Sequence, residues 1–166
     1  MFQVLTILAS LAAAGIALFT TPGWGWVIIG LLDAFIMLTF WAAKGRYRFE
    51  YVEELSPEAN AMLQRYGHYF AMPFASRDLS ASAATSQFAG VALGIISALR
   101  SFWWGLALAA MNWFLMGAVA VGISPAAPIA QDPAARIAHD EVVAWLRAQE
   151  RGTKHDDAPE DATGRR

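Results

Sequence analysis

Apolar residues fill four stretches of this chain, and polar residues gather between and behind them. Phe2 to Phe19 carries Val4, Leu5, Ile7, Leu8, Leu11, Ile16 and Leu18 around an alanine-rich interior, with no charge in its 18 residues. As a helix it rises about 27 Å, close to the thickness of bilayer hydrocarbon. Thr20, Thr21, Pro22 and Gly23 then predict a tight turn, because proline fixes its own φ and glycine tolerates reversal. Gly25 to Ala43 predicts a second span, framed by Trp24, Trp26 and Trp41 at the depths where indoles favour the headgroup boundary.

The stretch from Ser82 to Gly122 is too long for one crossing. Its 41 residues would extend about 60 Å as a single helix, twice what a bilayer core requires. Arg100-Ser101 is its one polar break, so a third span over Ser82–Leu99 and a fourth over Phe102–Gly122 are expected. The alternative keeps three spans and lays Ser82–Leu99 on the membrane surface. Phe88 to Ile96 argues against it, being apolar on every face where a surface helix needs a polar one.

Two wet segments complete the pattern, residues 44–81 and 124–166. In the first, Tyr47, Phe49 and Tyr51 alternate with Arg46, Arg48 and Glu50, the period of an extended segment with one apolar face. Ser56-Pro57-Glu58 reads as an N-cap, a proline at the first helical position and an acid near the positive end of the helix dipole. A helix over 57–70 follows, with a stripe of Ala59, Met62, Leu63, Tyr66 and Phe70; Gly67 loosens its end and Pro73 stops it. In the second, Pro125, Pro128 and Pro133 predict a stiff linker. A helix over 134–151 comes next, striped with Ala135, Ala138, Val142, Trp145 and Leu146, bearing an Arg136–Asp140 pair and closed by Gly152. The residues from Gly152 to Arg166 are expected to form a mobile polar tail.

Composition sharpens this into an all-α integral membrane protein with short amphipathic helices in its central loop and tail. The chain is 57% hydrophobic and 16% charged, too little polar surface to solvate so much apolar side chain in water. Apart from Asp33 and Arg100, every charge falls from Lys44 to Asp78 or from Asp132 onward. The central island balances Lys44, Arg46, Arg48, Arg65 and Arg77 against Glu50, Glu53, Glu54, Glu58 and Asp78, which is not a nucleic-acid footprint. Lys44, Arg46 and Arg48 directly follow the second span and place that end, and with it both termini, in the cytoplasm. The excess of arginine over lysine and the high alanine content fit a bacterial inner (plasma) membrane. The first stretch lacks the basic leader and A-x-A-like site of a secretory signal, so a retained helix is expected. With no cysteine, thiolate chemistry and cysteine metal sites drop out.

Asp33 is the residue most suggestive of chemistry. It sits at the midpoint of the second span, where an acid costs about 2.5 to 3.5 kcal/mol on insertion scales. Asn112 lies at the same depth in the fourth span, and its amide can donate to a carboxyl in either protonation state. The two are expected to pair, as structural glue or, alternatively, as a proton or cation site. Ser82, Ser86, Gly90, Gly94 and Ala98 recur every fourth residue and form a ridge on which a second helix backbone can rest, from this chain or another. Ala9, Ala13 and Ala17 form a lesser one. Trp103 and Trp104 read as belt anchors, Trp113 as a packing residue, and Arg100 as a cap on the outer turn.

His139-Asp140-Glu141 and His155-Asp156-Asp157 look like metal or acid–base sets on paper, yet they read as solvated charge. No metalloprotease, nucleophile-elbow, P-loop or dinucleotide motif is present, so neither an enzyme nor a cofactor or metal is expected. The features fit a small polytopic accessory, assembly or scaffold subunit of a larger membrane complex. Its partners are other membrane subunits, the lipid bilayer and further copies of itself. Met62, Leu63 and Tyr66, or Val142, Trp145 and Leu146, would dock soluble partners. The alternative is a homo-oligomeric channel or proton-coupled transporter using Asp33. A sensor signalling through its tail shares the features of the first.

Overall fold

The computed structural model describes residues 2–156, and among these the chain is helical throughout, without a strand. Four helices, α1 (Phe2–Phe19), α2 (Pro22–Arg46), α4 (Pro73–Ala98) and α5 (Phe102–Ile123), are long and apolar enough to cross a bilayer. The remaining three, α3 (Pro57–Ala71), α6 (Ala126–Gln131) and α7 (Pro133–Asp156), form a layer at one end of that bundle.

α4 is the hub. It packs along α5, α1 and α2, whereas α2 and α5 touch each other little. Residues 82–98 therefore run through the bundle, antiparallel to α5, rather than lying flat across its end. The buried core joins Ala13 and Ala17 of α1, Ile29, Leu32 and Ile36 of α2, Leu79, Ala83 and Leu93 of α4, and Met116, Val119 and Ile123 of α5. Large apolar side chains also point outward: Leu11, Leu31, Leu38 and Phe114 are each more than 60% exposed. Such a bundle is apolar inside and out, as an apolar solvent permits.

The element boundaries shift where helix caps override composition. Pro22 opens α2 at its first position, so the turn expected over Thr20–Gly23 shrinks to Thr20 and Thr21. Pro73 both ends α3 and opens α4, with Met72 serving as C-cap of one and N-cap of the other. α4 thus begins nine residues before the expected Ser82. Its first turns are polar, and its 26 residues rise about 39 Å, longer than the roughly 30 Å of a bilayer core. The Leu99–Ser101 turn needs no glycine, because no described residue adopts a positive φ and the reversal uses helical and extended conformations alone. Arg100 ties it to the other turn at that end, Nη2 donating to the Thr20 carbonyl at 3.2 Å.

In the end layer, the proline linker is partly helical, as α6. Gly152 does not close α7, which continues to Asp156; the tail beyond lies outside the described residues. The extended segment after α2 crosses α3 at Gly67, where a Cβ would lie 2.6 Å from the Tyr47 carbonyl oxygen and 2.7 Å from the Phe49 ring. Tyr66 departs from helical geometry beside it (φ −115°, ψ 23°). Gly67 is thus a crossing point as well as a weakness in α3. Tyr51 is exposed, and Val52 takes the inward place instead.

Close approach of α4 and α5 makes a testable demand on Gly105. A Cβ there would lie 2.5 Å from the Ala98 amide nitrogen and 2.6 Å from the Gly94 carbonyl oxygen, both backbone atoms that cannot yield. Gly105→Ala is expected to destabilise the bundle by about 1 to 3 kcal/mol through overpacking. Gly15→Ala, with nothing within 4 Å of the new methyl, should be neutral or stabilising. Thermal unfolding in mild detergent, followed by circular dichroism, compares the two.

Candidate functional site

The most polar point inside the bundle is built by three helices. Asp33 of α2, Ser86 of α4 and Asn112 of α5 are buried together. The Ser86 hydroxyl donates to Asp33 Oδ1 at 2.5 Å, and Asn112 Nδ2 donates to Asp33 Oδ2 at 2.6 Å. The expected Asp33–Asn112 pair is thus present as a contact, and Ser86 is a third member that sequence periodicity had placed only on the packing ridge. Each carboxyl oxygen accepts one hydrogen bond, so the acid is held between two neutral donors.

Gly90 makes room for this arrangement. A Cβ at Gly90 would overlap the Asn112 amide, and Asn112 Oδ1, buried with no hydrogen-bond donor, faces the Gly90 Cα–H in its place. Farther along, a Cβ at Gly94 would be 2.5 Å from that of Ala109, and Ala98 carries its backbone against Gly105. The ridge of Ser82, Ser86, Gly90, Gly94 and Ala98 therefore meets this chain's own helices: Ser86 turns to α2, and Gly90, Gly94 and Ala98 turn to α5. Near the opposite end of α4, Ser97 accepts a hydrogen bond from the Trp26 indole at 2.8 Å. Ala13 and Ala17 of the α1 ridge are likewise core residues. Trp113 packs edge-on against Phe88, while Trp103 and Trp104 are exposed.

The two stripes expected to receive soluble partners face each other instead. Met62, Leu63 and Tyr66 of α3 are buried against Val142 of α7, and Trp145 and Leu146 are partly buried at the same seam. A helix of this kind is stable only when its apolar face finds cover, and each supplies it to the other. Polar contacts fix the seam. Glu141 accepts from the Ser56 amide and hydroxyl, both at 2.7 Å, while Ser56 Oγ accepts from the Ala59 amide at 3.2 Å. In an ordinary capping box the acid that bonds the N-cap amide stands three residues downstream; here that position is Ala59 and α7 supplies the acid. Asn60 closes the preceding loop through Val52 and Leu55, and the Trp145 indole donates to Glu54 at 3.0 Å.

Two side chains close helix ends across elements, Asp78 within the bundle and His68 between this layer and the bundle. Asp78 accepts from the Phe2 and Gln3 amides at 2.8 and 3.1 Å, covering free donors at the start of α1. His68 Nε2 lies 3.1 Å from the Ile123 carbonyl, which can only accept, so the ring donates there and satisfies the end of α5. Burial pushes the His68 imidazole below its ordinary 6.5, outweighing that hydrogen bond, and nearby Lys44 acts in the same direction as burial. Position alone gave no hint of this role. His139 Nδ1 lies 3.2 Å from Asp140, so Asp140 turns to its neighbour rather than to Arg136. Among the described residues no three histidine or acidic side chains gather in a metal-binding arrangement; the side chains of His155 and Asp156, and all of Asp157, lie outside them.

Comparison with protein-family models, curated proteins and solved structures finds no match to this chain.

Removing the Asn112 amide strands an acceptor of Asp33. Asn112→Ala is expected to destabilise the bundle by about 1 to 2 kcal/mol, and Ser86→Ala by less. In a double-mutant cycle with Asp33→Ala, each should lose most of its effect, as read by unfolding in detergent.

Glu141 makes a separate prediction. The Ser56 hydroxyl, then its amide, hold this carboxyl below its ordinary 4.5. A depressed acid stabilises above its unfolded-state value and loses that contribution as pH falls through the folded one. The Ser56 amide resonance should therefore titrate with a midpoint below 4.5, and Glu141→Gln should flatten the curve.

Proposed function

We propose that this chain is an integral membrane protein of the cell (inner) membrane, serving as a small accessory, assembly or scaffold subunit of a larger membrane complex. Lys44, Arg46 and Arg48 lie at the end of the bundle that carries α3 and α7, which supports a cytoplasmic position for that layer and for both termini. Inside, Asp33 is committed to Ser86 and Asn112, and Trp26 to Ser97, while Asn112 Oδ1 and Ser10 Oγ are buried without a hydrogen-bond partner. That pattern favours a structural part over a conducting one.

The observation carrying this proposal is an outward groove of about 380 Å³ along α4 and α5. Gly94, Ala98, Gly105 and Ala109 pave it, with Ile95, Leu106 and Trp113 at its walls. Gly94 and Gly105 are closed beneath it by the α4–α5 contact, and the small side chains of Ala98 and Ala109 let a foreign helix approach, where dispersion contacts act in the absence of a hydrophobic drive.

A second reading, a homo-oligomeric channel or proton-coupled transporter, draws on a different feature. A crevice of about 240 Å³ between α2 and α5 reaches Asp33 and Asn112 past Gly30, Ala34, Leu108 and Met111.

A photo-crosslinking side chain at Leu106, activated in native membranes, tests the first against the second. An adduct heavier than the 18.0 kDa chain at Leu106, absent when the probe stands at Leu11 and lost on Ala110→Trp, is expected. An adduct of twice that mass identifies a second copy. Isolation as a lone chain without adduct, together with liposome flux abolished by Asp33→Asn, would replace the subunit reading with the transport one.

A further inference from the structure

A second groove runs along the opposite half of α5, where it approaches the end layer. Its volume is about 480 Å³. Gly117, Ala118 and Gly122 form its floor, Trp113, Phe114 and Val121 its walls, and Arg65 of α3 stands at its mouth. From Trp113 to Gly122 the helix rises about 13.5 Å, nearly one leaflet of a bilayer core of about 30 Å. The groove therefore has the length of a single leaflet and a cation at its headgroup end.

Arg65 is suited to that position. Its side chain is exposed, its guanidinium lies 5.5 Å from the Tyr66 ring centroid, and no carboxylate among the described residues is within ion-pair distance. Glu58 and Asp132 border a separate depression on its other side, between α3, α6 and α7. The guanidinium fork binds phosphate oxygens in a bidentate manner, and its aliphatic stem covers apolar surface while the charge stays at the interface.

We infer that Arg65 and the Trp113–Gly122 face of α5 form a binding site for one anionic phospholipid, the phosphate on Arg65 and one acyl chain in the groove. This site rests on the membrane reading above and shares only Trp113 with the partner groove along α4 and α5.

Native mass spectrometry of the detergent-purified chain, with phosphatidylglycerol or phosphatidylcholine added, tests it. One phosphatidylglycerol should be retained in preference to phosphatidylcholine. Arg65→Gln should weaken retention about tenfold, the effect of losing one charge-assisted contact. Ala118→Trp, which fills the groove and leaves Arg65 in place, should displace the same lipid. Equal retention of the two lipids, or retention unchanged by both variants, overturns the site while the membrane reading stands. Recovery of the chain in the aqueous fraction of lysed cells without detergent overturns the membrane reading itself.

Discussion

A carboxyl group in the middle of an apolar helix has to find donors, and the bundle is arranged so that Asp33 does. Ser86 reaches it from α4 and Asn112 from α5, joining three helices at one point. That junction constrains residues that never touch the acid. Asn112 can approach only because position 90 carries no side chain, and the same close approach continues through Gly94 and Gly105. The small-residue ridge is thus partly a consequence of the acid: α4 has to be thin where α5 brings its amide past it. The polar junction and the backbone proximity thus act together at one seam.

Helix ends present the second recurring constraint. Each terminus leaves free amides or carbonyls, and this protein satisfies several of them with side chains from other elements. Asp78 covers the start of α1, His68 the end of α5, and Glu141 the N-cap of α3. Every such contact crosses an element boundary, and the one made by His68 joins the end layer to the bundle. Amphipathic stripes on α3 and α7 then close against each other, leaving their polar faces outward.

Much of this was legible in the chain, and what escaped has physical causes. The four long apolar helices follow from length and hydropathy, and Asp33 and Asn112 share a depth that any helical ruler reveals. Ser86 escaped because a serine on a small-residue ridge fits packing equally well; only the rotation of α4 relative to α2 decides what its hydroxyl meets. The α4 start escaped because Arg77 and Asp78 read as loop charge, although they lie on the first turns of a helix that Pro73 opens. The stripes of α3 and α7 were visible as stripes, but periodicity shows that a face needs cover and not what covers it. His68 escaped altogether, since a histidine that caps a carbonyl 55 residues away leaves no local pattern.

The Asp33 junction also has a temporal side. Ribosomes deliver residues in order, and Asp33 precedes Ser86 by 53 positions and Asn112 by 79. The first helical hairpin is therefore complete while its acid still waits for both donors. The amides of Phe2 and Gln3 wait similarly, for a residue 76 and 75 positions later. The first hairpin is made before its partners and finished with them, and it has to persist in that incomplete state until translation reaches the fifth helix.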